Sequence, residues 1–339
     1  MNIGKVSESV LKRSVLKQLK TRREEIISGA GVGDDCAIFS VKEGEKVVSC
    51  VQEGVVGPAQ TVICEQDIQR DFVMTMQQLV QKCANNLVAG GAEPIAIMLA
   101  LLLPETAEEA DLRQIMKEAE DACHALSMQI MGGQTRVLGA VKEPVAVITG
   151  YGKVTDDYYR TAKSAKPGQD IVISKWIGLE GTAALARHHE QGLLSRYPAY
   201  LVEEAAGFDR YLSVLPEAAV ALQAGVCAMH DASEGGIFAA LWELAEGAGL
   251  GLTIDLKKLP LRQETVEVCE YCNVNPYELQ SGGSLVMTAE DGATLVAALE
   301  AEGIPAVVVG KLTSGKDRLI LNEDEVRYVD RPRTKQRGT

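Results

Sequence analysis

The chain has 339 residues, enough for two domains that each bury a core, and its 46% hydrophobic and 24% charged residues are those of an ordinary folded protein. Lys plus Arg is 34 against 47 Asp plus Glu, and the resulting net charge of −13 argues against a general nucleic-acid binder. The longest apolar stretch, Ile95 to Leu103, is closed by Pro94 and Pro104 and falls far short of the ~20 residues of a bilayer span, so no membrane partner is expected.

The polar, basic N-terminal stretch lacks the apolar core of a secretory signal, which makes the cytoplasm the expected compartment. Val10, Leu11, Val15, Leu16 and Leu19 recur at helical spacing and predict a helix over 7–20. Strands are expected at 37–39 and 47–51, then a helix from an Asp67 N-cap to Val88, ended by Gly90 and Gly91. The apolar run 95–103 reads as a buried strand. Thr106 and Glu109 have the form of a capping box ahead of a helix through Leu126, and strands follow at 129–137 and 144–154. Pro167-Gly168 lies in a polar crossing that puts the domain boundary near 160.

Beyond it, strands are expected at 170–174, 252–256, 284–288, 306–311 and 318–321. Helices are expected at 183–189, 217–224, 234–246, around Cys269 and at 295–301. This irregular alternation predicts an α+β fold in two halves, 1–160 and 161–330, with a basic tail at 331–339. Eight cysteines are scattered through apolar segments and read as reduced, buried thiols; the lone CxxC, Cys269 and Cys272, has no second pair and no histidine at zinc spacing.

Six segments carry candidate chemistry. In Gly31-Val-Gly-Asp-Asp-Cys-Ala-Ile38, Gly31 and Gly33 permit close backbone approach to a ligand, while Asp34 and Asp35 suit a hard cation such as Mg2+; the same residues also make a good solvated turn. Asn85 and Asn86 offer amides near a helix end, as ligands or as a C-cap. Met131-Gly-Gly-Gln-Thr-Arg136 is, in isolation, a bulge. Lys175 in the loop 173–182, Asp231 with Gly235 and Gly236 in the loop 229–236, and Ser281 with Gly282 in the loop 280–284 stand at glycine-rich turns. Two of these precede helices, whose terminal N–H groups could receive an anion or simply be capped.

Taken in order, GVGDDCAI, ANNLVAGGAEP, GGQTRV, SKWIGLEGT, HDASEGGI and SGGS resemble the AIR synthase (PurM-like) superfamily, and within it the HypE-like group of hydrogenase maturation proteins. The resemblance covers nearly the whole chain and implies a two-domain PurM-like fold, with an AIR synthase N-terminal-type and a C-terminal-type half. It also implies a homodimer joined through the N-terminal halves and a cleft for ATP and Mg2+. The activity implied is ATP-dependent phosphoryl transfer to an oxygen of a small-molecule substrate, or of a maturation partner protein. The site it implies has Asp35 and Lys175 as catalytic groups and Asp34, Asp35 and Glu53 on the metal. Gly31, Gly33, Asn86, Gly133, Gln134, Thr135, Arg136, Asp231, Gly235, Gly236, Ser281 and Gly282 would hold the nucleotide.

Departures from the family pattern weaken the metal half of that expectation. Gln52-Glu53 stands where Thr-Asp is common, Asn85-Asn86 where Asn-Asp is common, and Gly133-Gln134-Thr135-Arg136 where the family has Gly-Gly-His-Thr-Glu or Gly-Asp-Thr; amides for carboxylates lower the charge that holds a hard ion. Arg136 could meet a phosphate directly. The last cysteine is Cys272, so the C-terminal cysteine chemistry of the HypE-like group is not expected. The alternative reading is a catalytically reduced nucleotide- or metabolite-binding regulator or maturation scaffold.

Overall fold

The computed structural model describes residues 3–31, 36–57, 73–155 and 159–332, which form two compact units: 1–88 with 92–159, and 160–339 with 89–91.

Alternation builds the sheet of unit 1. Its strands are β1 (Gly4–Lys5), β4 (Glu45–Val55), β5 (Glu93–Leu103), β6 (Gln129–Val137) and β7 (Val145–Thr155), in the order β1-β6-β5-β7-β4. Only β5 and β6 run parallel; β2 (Ile26–Ser28) and β3 (Ile38–Phe39) form a separate ribbon. On β5, Leu99, Leu101 and Leu103 are buried while Met98, Ala100 and Leu102 are half-buried, the period-2 signature of a sheet with one covered face. Two helices supply the cover. Helix α2 (Met76–Ala89) buries Leu79, Cys83 and Leu87, and α3 (Glu109–Ala125) buries Leu112, Ile115 and Met116. On the opposite face the β2–β3 ribbon packs through Ile26, Ala37 and Phe39 near Met98 and Tyr151, while beyond it Val145 and Val147 are half-buried and Val47 and Val51 are 47% and 55% exposed.

Unit 2 is a seven-stranded sheet in the order β14-β13-β10-β12-β8-β11-β9. Its strands are β8 (Asp170–Ser174), β9 (Ala228–Ala232), β10 (Gly251–Asp255), β11 (Ser284–Ala289), β12 (Ala306–Thr313), β13 (Arg318–Asn322) and β14 (Glu325–Tyr328), with only β10 and β13 parallel. The helices are α4 (Leu179–His188), α5 (Glu190–Leu194), α6 (Ala199–Ala206), α7 (Leu215–Gln223), α8 (Gly236–Ala248), α9 (Gln263–Cys272) and α10 (Gly292–Ala301). Ile237, Leu241 and Leu244 of α8 pack with Ile171, Ile173, Val286 and Ile320 in the main core of this unit. The α+β character expected from the irregular alternation is what the chain folds into.

Several boundaries differ from the sequence expectation for physical reasons. The N-terminal helix is a composite: α1 (Glu8–Val10) runs into a π-helical turn, Leu11–Val15, and a 3-10 turn, Leu16–Gln18. The cap of α3 is Glu108 rather than Thr106; its N–H donates to Asp111 Oδ2 at 2.8 Å, while Glu109 is drawn off to Arg13 and to Ser14 Oγ at 2.6 Å. Helix α2 begins at Met76, and Asp67 lies outside the described residues. Short elements with little periodicity, β1, β2, β14, α5 and α6, escaped the pattern altogether.

Candidate functional site

In unit 1, β6 departs from a plain strand where its glycines fall. The pairing with β5 steps from Ile97–Ile130 to Met98–Gly132, leaving Met131 as a bulge. Gly133 then takes φ 149°, and a Cβ there would stand 1.9 Å from Leu99 O, so only glycine lets β6 lie against β5. Beside this irregular strand is a cavity of about 600 Å³. One wall is the composite N-terminal helix, through Leu11, Val15, Leu16 and Leu19; Met98, Met116 and Ile130 continue it as an apolar surface. The other boundary is polar and glycine-rich, with Gly29, Gly31, Gly133, Gln134 and Thr135. A π-turn widens a helix locally and often marks a functional site; here it shapes the apolar wall.

Two of the sequence motifs meet at this cavity. Gly31 and Cys36, which flank the acidic pair in the chain, line it together with Gly133, Gln134 and Thr135; Gly33, Asp34 and Asp35 lie outside the described residues. Arg136 follows on β6 as an exposed side chain. Two expected site residues are not brought there. Glu53 shares a register row with Gln134 through Ala100 and Val147, but on the far edge strand β4, roughly 14 Å away at the usual strand spacing. Asn86, half-buried on α2, is not among the cavity residues, and neighbouring Asn85 accepts Gln81 Nε2–H at 2.9 Å. No three His, Cys, Asp or Glu side chains converge as a metal cluster among the described residues. The apolar wall and Lys5 were missed at the sequence level, because a helical stripe of leucines reads equally well as core.

In unit 2 the three glycine-rich loops come together, but largely to pack on one another. A Cβ on Gly236 would stand 2.5 Å from Tyr277 O and 2.7 Å from Leu279 O, and one on Gly282 would stand 2.5 Å from Glu180 Oε2. Ser281 Oγ accepts the Gly178 N–H at 2.9 Å and donates to Leu279 O at 2.9 Å. The helix N-termini expected to receive an anion also donate internally, Gly181 N–H to Gln280 O at 3.0 Å and Phe238 N–H to Tyr277 O at 3.2 Å. Lys175 sits at the end of β8 with φ 52°, buried. Its ammonium donates to Tyr211 O at 2.7 Å and Ser213 O at 2.6 Å and pairs with Glu217 Oε1 at 2.6 Å. Burial pulls the lysine below its ordinary pKa, against the opposing pull of Glu217 and of buried Asp231. With three acceptors around three N–H donors, the Lys175 ammonium is engaged within unit 2.

Cysteine chemistry is muted. Burial pushes the Cys269 thiol up to about 12 and the Cys272 thiol up to about 11, so the CxxC is a poor nucleophile and metal ligand. Cys50 and Cys83 stand with Sγ atoms 3.7 Å apart, over Gly150, where a Cβ would meet Cys83 Sγ at 2.3 Å.

A bulged, glycine-bearing parallel strand pair beside a cavity in the first unit, and interlocked glycine loops in the second, describe a two-unit α+β protein with an open cavity in its N-terminal unit. The AIR synthase related protein N-terminal domain matches residues 33–154 and the corresponding C-terminal domain residues 166–322, and the chain belongs to this family. Within the family it is HypE-like. It is 31% identical over 233 residues to carbamoyl dehydratase HypE of Rhodobacter capsulatus, a match covering 67% of this chain and 66% of that protein, just under two thirds of its length. The fold is that of E. coli HypE, a hydrogenase maturation protein, with TM-score 0.77 at 18% identity over 97% of this chain and 98% of that one. A crystal structure of HypE in complex with ATP superposes with TM-score 0.73, also at 18% identity, over 95% and 93%.

Proposed function

We propose that the chain binds ATP in the cavity of unit 1 and transfers its terminal phosphoryl group to an oxygen of a small molecule or of a maturation partner protein. The observation that carries this reading is the meeting of Gly31 and Cys36 with Gly133, Gln134 and Thr135 on one cavity of about 600 Å³, a volume within the range of small-ligand sites. Leu11, Val15, Leu16 and Met98 offer a purine an apolar wall, and the glycine-bearing edge lets phosphates approach backbone N–H groups. Mg2+ would rest on Asp34 and Asp35 and would neutralise charge on the transferred group; Glu53, on the far strand, is left out. The residues of this chain bind and orient the nucleotide and exclude water from the apolar end. The same reading takes the face of the unit 1 sheet beyond the ribbon, with exposed Val47 and Val51, as the contact of a homodimer.

The test is calorimetric titration of ATP with and without Mg2+ into wild-type protein and into an Asp34→Asn, Asp35→Asn double variant, with ATP turnover measured alongside. ATP binding that Mg2+ tightens, with that tightening lost in the double variant, is the expected result; unchanged binding and turnover in the variant would sink the enzyme reading. A second reading, a nucleotide-binding regulator or scaffold without turnover, is favoured by the distance of Glu53 from Gln134 and by the engagement of Lys175 with Glu217. ATP turnover above the double variant's background excludes it.

A further inference from the structure

We propose that Lys5 and Arg136 form a two-cation site at the mouth of the unit 1 cavity that takes the terminal phosphate of the bound nucleotide directly, an inference that rests on reading this cavity as a nucleotide site. The pair is made by the backbone. Strand β1 is two residues long, and its antiparallel pairing with β6 sets Gly4 opposite Val137 and Lys5 opposite Arg136. Residues directly opposite on adjacent strands point to the same face with Cβ atoms about 5 Å apart, and like charges so placed destabilise a sheet. The chain nevertheless keeps two cations there while carrying 47 acidic residues, and neither cation has an ion pair among the described residues.

Their neighbours are treated differently. Lys12 pairs with Glu8 at 2.5 Å, and Arg13 pairs with Glu109. Glu8, the acidic residue that also lines the cavity, is therefore already matched by its own lysine one helical turn on. Lys5 and Gln134 line the cavity, and Arg136 stands two residues beyond Gln134 on the same face of β6.

The donor set fits a phosphate. A guanidinium presents a planar fork to two oxygens, an ammonium adds a point charge, and the Gln134 amide adds a neutral donor. Such a site does by direct contact part of what a carboxylate-held metal does for a triphosphate. In this chain the Gln134 amide and the Lys5 ammonium line the cavity, and Arg136 stands beside them on β6. A like-charged pair that is unfavourable when empty becomes favourable when an anion lies between its members, which separates the site from two ordinary surface cations.

The experiment uses the full chain, without magnesium, and titrates ATP, inorganic tripolyphosphate and adenosine into wild type, a Lys5→Gln, Arg136→Gln double variant and a Lys5→Arg variant. Thermal unfolding of each ligand-free protein is recorded in the same buffer. Tripolyphosphate is expected to compete with ATP on the wild type, with an affinity that falls as salt rises. The double variant should weaken both by about tenfold or more, the scale of losing charged hydrogen bonds, while adenosine binding stays unchanged and Lys5→Arg retains the anion. Its ligand-free melting temperature should be equal to or above that of wild type, because the repulsion is gone. Equal affinity of the double variant and wild type for tripolyphosphate overturns the proposal, as does tripolyphosphate that binds alongside ATP without competing. If the double variant melts early, wild-type competition and the Lys5→Arg variant decide. Tripolyphosphate binding through the pair with no binding of ATP or adenosine supports the anion site and removes the nucleotide reading.

Discussion

The glycines of the two units look alike in sequence and behave differently in the fold. In unit 2, Gly178, Gly181, Gly236 and Gly282 let three loops close on one another, and the carbonyls of Gln280 and Tyr277 take the N–H groups of Gly181 and Phe238 that an anion would otherwise use. In unit 1, Gly133 is equally tight against Leu99 on one side, but Gly29, Gly31 and Gly133 border a cavity on the other. A glycine loop before a helix thus signals close approach without saying what approaches. Backbone fills the place in one unit, and open volume is left in the other.

Substitutions can break that contrast. The largest effect is expected from Glu217→Gln, which leaves the Lys175 ammonium buried without its carboxylate; breaking such a pair costs about 3–5 kcal/mol, read as a loss of urea stability. Full stability in that variant would mean that the interior of unit 2 tolerates a free cation, and the contrast would fail. Gly236→Ala comes next at roughly 3 kcal/mol, since it forces a side chain to φ 70° against the carbonyls of Tyr277 and Leu279. In unit 1, Gly132→Ala meets only the Met98 thioether, at 2.8 Å, which can move. Its expected cost is below about 1 kcal/mol, with the change appearing instead in ligand affinity at the cavity.

Acid should act on the frame of unit 1. Hydrogen bonding to Arg23, reinforced by Lys153, holds the Glu25 carboxyl at about 2 against an unperturbed 4.5. A carboxylate lowered by folding contributes stability above its unfolded value and loses it as pH falls through the folded one. Thermal stability should therefore decline between pH 4.5 and 2, and Glu25→Gln should flatten part of that decline. The smallest effect expected is chemical: maleimide at pH 8 should label exposed Cys36 well before Cys269 or Cys272, and rapid labelling of the CxxC would reopen a redox role for it.

The α+β class, the long strands of both sheets and the motif order were legible in the sequence, because period-2 burial on β5 and β7 and helical burial on α3 leave direct traces. The cavity was only half legible. Gly31 and Gly133 to Arg136 declared themselves as loops and bulges, but Leu11, Val15 and Leu16 are indistinguishable from core until the π-turn turns them toward open space. Lys175 shows what a local pattern leaves out. A lysine after a strand and before a glycine loop suggests phosphate, and nothing local to it announces Glu217, 42 positions on in the chain, as its partner. Cross-strand neighbours such as Lys5 and Arg136 likewise depend on a pairing that two residues of β1 are too short to advertise.

The π-turn at Leu11–Val15 also fixes an angular phase. Each residue advances a helix by about 100°, so removing one residue from this turn would restore α-helical winding while rotating the connection to what lies before it by that amount. Glu8 with the residues just upstream, and Leu16 with Leu19, could then no longer both keep their present bearing on the cavity. The register of β1 against β6 is tied to the same winding, since only Val6 and Ser7 separate Lys5 from the helix. One inserted residue in this helix thus sets, as a single mechanical linkage, both the apolar wall and the strand that closes the cavity's edge.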